Sequence, residues 1–223
     1  MARDIEQFEL LNTGSQLRKA ARHGFEFYRG AIPLDQCEAV VQESYDLLNR
    51  NAVVKHWLVA LADRWSIDRL RRVGILQERL SQTVPEVLFV DTDDSGLAAS
   101  AAALLSRYAG GRLHVSSAGE KPAAEMDPAV VRVAGEADID LASAFPKSIT
   151  QEAVQVADVI ITLGDATSVV EHAAAAERQV LHWEVAAVAD RSEDTIRAAL
   201  VDVDRRTLML LADLIAPSVT GTS

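Results

Sequence analysis

Cysteine is almost absent from this 223-residue chain: Cys37 is the only one. That excludes a disulfide framework and a thiolate zinc cluster. Aromatic residues are sparse, at 5%. No apolar run approaches the ~18–20 residues that a membrane helix needs, so no membrane role is expected. Positive charge is short as well, with 22 Lys and Arg against 33 Asp and Glu, a net charge of −11. Such a balance argues against nucleic acid as a partner. The stretch from Met1 to Glu9 is charged and carries no apolar leader, so a cytoplasmic protein is expected. What is plentiful is core material, because 49% of the residues are hydrophobic.

The charge is unevenly placed. Residues 1–84 carry a net charge of +1 and residues 85–223 carry −12, which suggests two units with different surfaces. The first, 1–84, reads as a small three-helix bundle. Pro33-Leu34-Asp35 opens one helix, with Val40, Val41, Ser44, Tyr45 and Leu48 at helical spacing. A second is expected from about Val53 to Trp65, and a third from Ser66, a plausible N-cap. The stretch before them, Asp4 to His23, reads as a further helix or an arm. A bundle of this size is marginal alone, so packing on a second copy, as a homodimer, or on the next domain is expected.

After Pro85 the pattern changes. Val87-Leu88-Phe89-Val90 is a short continuous apolar run, as in a buried parallel strand. The acidic loop Asp91-Thr92-Asp93-Asp94-Ser95-Gly96 follows, and then an Ala/Leu-rich helix from Leu97 to Tyr108. Further strands are expected at Leu113–Ser117, Asp158–Thr162 and Gln179–Trp183. Helices are expected from Asp127-Pro128 (an N-cap with Pro at N1), from Thr150, and from Ser192 to Ile215. Strands alternating with helices define an α/β fold with a doubly wound four-stranded parallel sheet over 85–223.

The strand, six-residue loop and Ala-rich helix resemble the opening of the low-molecular-weight tyrosine phosphatases and their arsenate reductase relatives. Ser116-Ser117-Ala118-Gly119, Asp127-Pro128-Ala129, Phe145-Pro146-Lys147, Ala157–Gly164 and His182-Trp183-Glu184 follow in the same order. Residues 30–80 resemble the N-terminal helical domain of some actinobacterial members, thought to dimerise. The family's chemistry implies a Cys, five residues and an Arg: a thiolate nucleophile, loop N–H groups around the oxyanion, and a bidentate guanidinium clamp. Here Asp91 stands in the Cys position and Leu97 in the Arg position. Ala98 replaces the following Ser or Thr, and the general-acid position falls near Ala187. The second cysteine of the arsenate reductases is replaced near Asp165. Cys37 lies outside this segment, on the apolar stripe of a helix, and reads as a buried structural thiol.

The resemblance therefore implies a pseudoenzyme without catalytic residues or cofactor, acting by binding an as yet unknown protein or ligand. Like charges at ~4 Å oppose an anion by roughly 4 kcal/mol at an effective dielectric of ~20, so Asp91, Asp93 and Asp94 disfavour phosphate. Asp91→Asn is then expected to stabilise by relieving repulsion. Asp94 or Ser95 is expected to cap the helix in place of substrate oxygens. A rival reading makes Asp91 and Asp93 ligands of Mg²⁺ in a phosphohydrolase, with Thr162 as phosphate-binding hydroxyl and Lys147 as its lysine. Two further expectations concern the helices: Trp57 and Trp65 share a face, and Arg69, Arg71 and Arg72 form a solvated basic cluster.

Overall fold

The computed structural model describes residues 2–53, 55–164, 166, 178–185 and 192–215, with side chains from residue 12 onward. In chain order the elements are α1 (Ala2–Phe27), α2 (Leu34–Asn49), α3 (Leu58–Leu76), β1 (Glu86–Asp91), α4 (Leu97–Ala109), β2 (His114–Gly119), α5 (Pro128–Glu136), α6 (Gln151–Val156), β3 (Val159–Leu163), β4 (Gln179–Trp183) and α7 (Glu193–Ile215). They form two compact units: Met1–Thr83 with Thr150–Val156, and Val84–Ile149 with Ala157–Ser223. A single cut at 84/85 therefore misplaces α6, which belongs with the first unit.

In the first unit α1, α2 and α3 pack pairwise. Their shared core includes Leu17, Ala21, Ile32, Cys37, Val41 and Leu70. Cys37 is fully buried, and burial, reinforced by Asp35, pushes its thiol up, so it is inert by placement. The expected break at Ser66 does not occur. α3 runs unbroken through it, because the Ser66 hydroxyl donates to the Asp63 carbonyl (2.7 Å) and is satisfied inside the helix. Trp65 is buried, whereas Trp57 precedes the helix and is 70% exposed, so the two do not share a face.

The basic cluster is also not a solvated face, since Arg69 and Arg72 are each 2% exposed. Arg69 donates to Glu152 on α6 (2.6 Å), to Glu43 (2.8 Å) and to Ser44 (3.1 Å), and its guanidinium stacks over Trp65. Burial alone would push Glu152 up, but the hydrogen bond and charge of Arg69 hold it below the usual carboxylate range.

In the second unit the sheet order is β2-β1-β3-β4 with every pairing parallel. The apolar runs are central for a simple reason: Val87, Leu88, Phe89, Val90, Ile160 and Ile161 are at most 1% exposed, as strands covered on both faces must be. Val87 and Phe89 join a core with Leu104, Leu105, Val133, Ile196 and Leu200 from α4, α5 and α7. Trp183 packs edge-to-face on Phe89, with ring centroids 5.6 Å apart. Asp127 caps α5 as its sequence suggests, its carboxylate accepting from Ala129 N (2.9 Å), with Pro128 at the first helical position. No helix among the described residues is long and apolar enough to cross a membrane.

Candidate functional site

β1 ends at Asp91, beside Gly119 at the end of β2, and the chain turns through 92–96 into α4. A loop of this kind aims backbone N–H groups inward and ends on the positive end of a helix, which makes it a ready anion site. Here the chain's own carboxylates occupy it. Asp91 Oδ1 accepts from Asp93 N (3.2 Å) and Asp94 N (2.5 Å), while Oδ2 accepts from Ala98 N in the first turn of α4 (3.0 Å). Asp93 Oδ1 takes both the backbone N–H (3.0 Å) and the hydroxyl (2.8 Å) of Ser95. Capping of α4 thus falls to Asp91, not to Asp94 or Ser95, while Asp93 closes the turn before the helix. Gly96 sits at the N-cap and makes no side-chain cap, and Leu97, in the clamp position, packs against the core.

Asp94 does something else. It adopts φ +51° and is fully buried. Its Oδ2 accepts both the backbone N–H (2.9 Å) and the ammonium (3.0 Å) of Lys147. Lys147 also donates to Phe145 O (2.9 Å) and Ser117 Oγ (3.3 Å), and lies over the Phe145 ring. Every ammonium donor is therefore used inside the protein. Burial pushes the Asp94 carboxyl up, against the opposing pull of Lys147 and Ser117.

The loop is pinned from outside as well. The carbonyls of Asp91, Thr92, Asp93 and Ser95 accept from Glu120, Lys121, Ala123 and Asp127 at 2.8–3.2 Å. Gly119 makes that approach possible. A Cβ there would lie 2.7 Å from the Asp93 carbonyl carbon and 2.8 Å from Asp94 N, both backbone atoms. Gly119→Ala is expected to lower stability by about 1–3 kcal/mol, because neither atom can yield without shifting the loop. Thermal melting of the variant checks this.

Charge at Asp91 gives a pH signature. Burial first, then Asp94 and Asp93, push its carboxyl up to about 6, against the hydrogen bonds from Ala98 and Asp94 N–H. A carboxyl raised on folding favours the folded state below its unfolded value and loses that advantage as pH rises through about 6. The gap corresponds to roughly 3 kcal/mol at ~1.4 kcal/mol per unit. Asp91→Asn removes this dependence but also loses the acceptor for Ala98 N–H. The gain expected from charge relief alone is therefore offset at pH 7.5. Relative to Asp91→Asn, wild type should gain up to about 3 kcal/mol between pH 7.5 and 4; a flat difference in melting temperature across that range would refute the assignment.

The residues of the magnesium reading are otherwise engaged. Both oxygens of Asp91 and Oδ1 of Asp93 accept from N–H and O–H donors, and Lys147 holds Asp94. Thr162 is 1% exposed, with its hydroxyl 2.9 Å from His182 Nδ1. Among the described residues no three His, Cys, Asp or Glu side chains are grouped to hold a metal ion. Ala187 and Asp165 lie outside the described residues. Sequence reasoning missed the structural roles of Lys147 and Gly119. The available signal was that Lys147 is one of only two lysines after residue 84.

Residues 86–211 match the family model described as low molecular weight phosphotyrosine protein phosphatase, and residues 17–74 match a protein-tyrosine-phosphatase-like N-terminal domain. The chain belongs to the low-molecular-weight phosphatase family, which works without a cofactor. A thioredoxin-dependent arsenate reductase of Corynebacterium glutamicum is similar over both segments, with 29% identity, 89% of this chain and 96% of that one covered, and a TM-score of 0.74. Two other structures share the fold. An arginine phosphatase of Geobacillus stearothermophilus is 21% identical over 58% of this chain and 92% of its own, with a TM-score of 0.53. The tyrosine phosphatase Wzb of Escherichia coli K30 is 14% identical over 59% and 99%, also at 0.53.

Proposed function

We propose that this chain is a catalytically silent member of its family that acts by binding a protein partner rather than by turning over phosphate or arsenate. The observation that carries this reading is the position of Asp91. It stands where the resemblance puts the thiolate, and its carboxylate takes the loop and helix N–H groups at Asp93, Asp94 and Ala98. An incoming oxyanion would have to displace a covalently tethered anion and approach Asp93 and Asp94. The chain's one thiol is buried in the other unit, and Leu97 supplies no positive charge in place of the guanidinium clamp. Hydrolysis of an aryl phosphate, with and without Mg²⁺, by wild type and Asp91→Asn tests the reading. No turnover in any arm is expected. Metal-dependent turnover abolished by Asp91→Asn would make this an aspartate-dependent phosphohydrolase instead.

A further inference from the structure

α4 leaves the acidic loop at Leu97, and towards its other end it borders a cleft of about 280 Å³ shared with α5 and α7. An apolar cavity of ~150 Å³ is enough to take up benzene. The floor here is Leu104, Val133, Ile139 and Leu200, each at most 5% exposed. The end of α5 shapes one edge. Asp138, at φ +57°, donates to Gly135 O (3.2 Å), and Ile139 N donates to Ala134 O (2.9 Å), the two bonds of a Schellman turn. That turn brings Ile139 to the floor and offers the Asp138 carbonyl to Arg107 (2.6 Å).

The two sides of the mouth differ in charge. On one, Arg197 donates to Glu136 (2.9 Å) and Asp194 (3.2 Å), and Arg132 pairs with Glu136 (3.6 Å) and Glu193 (2.7 Å), so the ions there are already matched. On the other, Arg107 and Asp204 share only a phenol. Arg107 donates to the Tyr108 hydroxyl (3.1 Å), which donates to Asp204 Oδ1 (2.6 Å). Among the described residues, no carboxylate lies within ion-pair distance of Arg107 and no cation within that of Asp204. Two of the five guanidinium N–H groups are used, and the group lies over the Tyr108 ring.

We propose that this cleft binds a free α-amino acid with an apolar side chain. The side chain lies on the floor, the α-carboxylate meets Arg107 and the α-ammonium meets Asp204. Opposite charges bridged by one hydroxyl are close enough for an acid and a base one carbon apart. A plain amine would leave Arg107 uncompensated. A plain carboxylate would be opposed by the net charge of −12 over residues 85–223, whereas a zwitterion carries no net charge to be repelled. The four floor residues have no polar side-chain atom, so a polar side chain would lose water there without a partner.

A methyl-resolved NMR titration of the full chain with L-phenylalanine tests this. Saturable shifts at Leu104, Val133, Ile139 and Leu200 are expected, with a Kd of roughly 1 mM, the order for a dozen non-hydrogen atoms in an open cleft. 2-Phenylethylamine and 3-phenylpropionate, each lacking one charge, should bind about tenfold more weakly. Asp204→Asn, which can still accept from Tyr108, should weaken phenylalanine about tenfold and 3-phenylpropionate not at all. Arg107→Met should do the same for phenylalanine and spare 2-phenylethylamine. A variant that merely distorted the cleft would weaken both probes. No saturable shift by ~10 mM phenylalanine, shifts confined to other residues, or either one-charge probe binding as tightly as phenylalanine overturns the proposal. So does equal binding of N-acetylphenylalanine amide, which would make the cleft a socket for a side chain of a partner protein.

Discussion

Lys147→Met is expected to destabilise the second unit by about 3–5 kcal/mol at neutral pH, the range for removing one partner of a buried ion pair. At 2–4 °C per kcal/mol for a chain of this size, the melting temperature should fall by roughly 6–20 °C. Met keeps most of the volume of the lysine stem, so the loss reports the ammonium. Without it, Asp94 retains the backbone N–H of residue 147 and loses the compensating charge of the ammonium, inside a site that is fully buried. Its carboxyl should then rise further. A group raised on folding stabilises below its unfolded value and loses that contribution as pH increases. The deficit of Lys147→Met should therefore shrink as the pH falls towards 4. Asn tolerates the left-handed backbone at position 94. The double variant Lys147→Met/Asp94→Asn should accordingly recover most of the loss. Equal melting temperatures for wild type and Lys147→Met would show that Asp94 needs no counter-charge.

Arg69→Met should have an effect of the same size, roughly 3–5 kcal/mol, in the first unit. Arg69 is the common partner of Glu152 and Glu43, whose situations differ. The Glu43 side chain is 61% exposed and recovers water when the pair is broken. Glu152 is 11% exposed and keeps an uncompensated charge. The asymmetry makes a double-mutant prediction. Glu152→Gln should rescue most of the Arg69→Met loss, and Glu43→Gln almost none of it, because an exposed pair contributes ~1 kcal/mol or less. The sign with pH is opposite to that at Asp94. Glu152 is lowered on folding, so its contribution is present above its unfolded value and disappears as pH falls through the folded one. Urea titrations of the four variants at pH 7.5 and 4 check both statements.

Local order was legible where a local rule governs. β1 and β3 announce themselves as unbroken apolar runs, and Asp127-Pro128 starts a helix from its own chemistry. The same local reading misplaced a helix boundary at Ser66, whose hydroxyl is satisfied within the turn. It also took Arg69 and Arg72 for surface charge. The burial of Arg69 depends on a partner far away in sequence: Glu152 lies 83 residues beyond it. The loop shows the same limit. Three aspartates within four residues pointed to a loop hostile to anions. Which of them caps and which is buried rests on Lys147, 53 residues beyond Asp94, and on the close pass of Gly119. No spacing rule connects these positions.

The membership of α6 in the first unit bears on how the protein is made. The three long helices are complete by Leu76, yet the carboxylate that neutralises Arg69 and the apolar side chains of Ala153, Val154 and Val156 belong to a segment translated about 75 residues later. At synthesis rates of about 5–20 residues per second, the first unit waits several seconds for its last piece. During that interval the strands of the second unit are still emerging. Assembly from the N-terminus, one finished domain after another, is not open to this chain. A gene fragment cut after residue 83 would encode a helical unit permanently missing its fourth element, and the complementary fragment would carry that element with nothing to receive it.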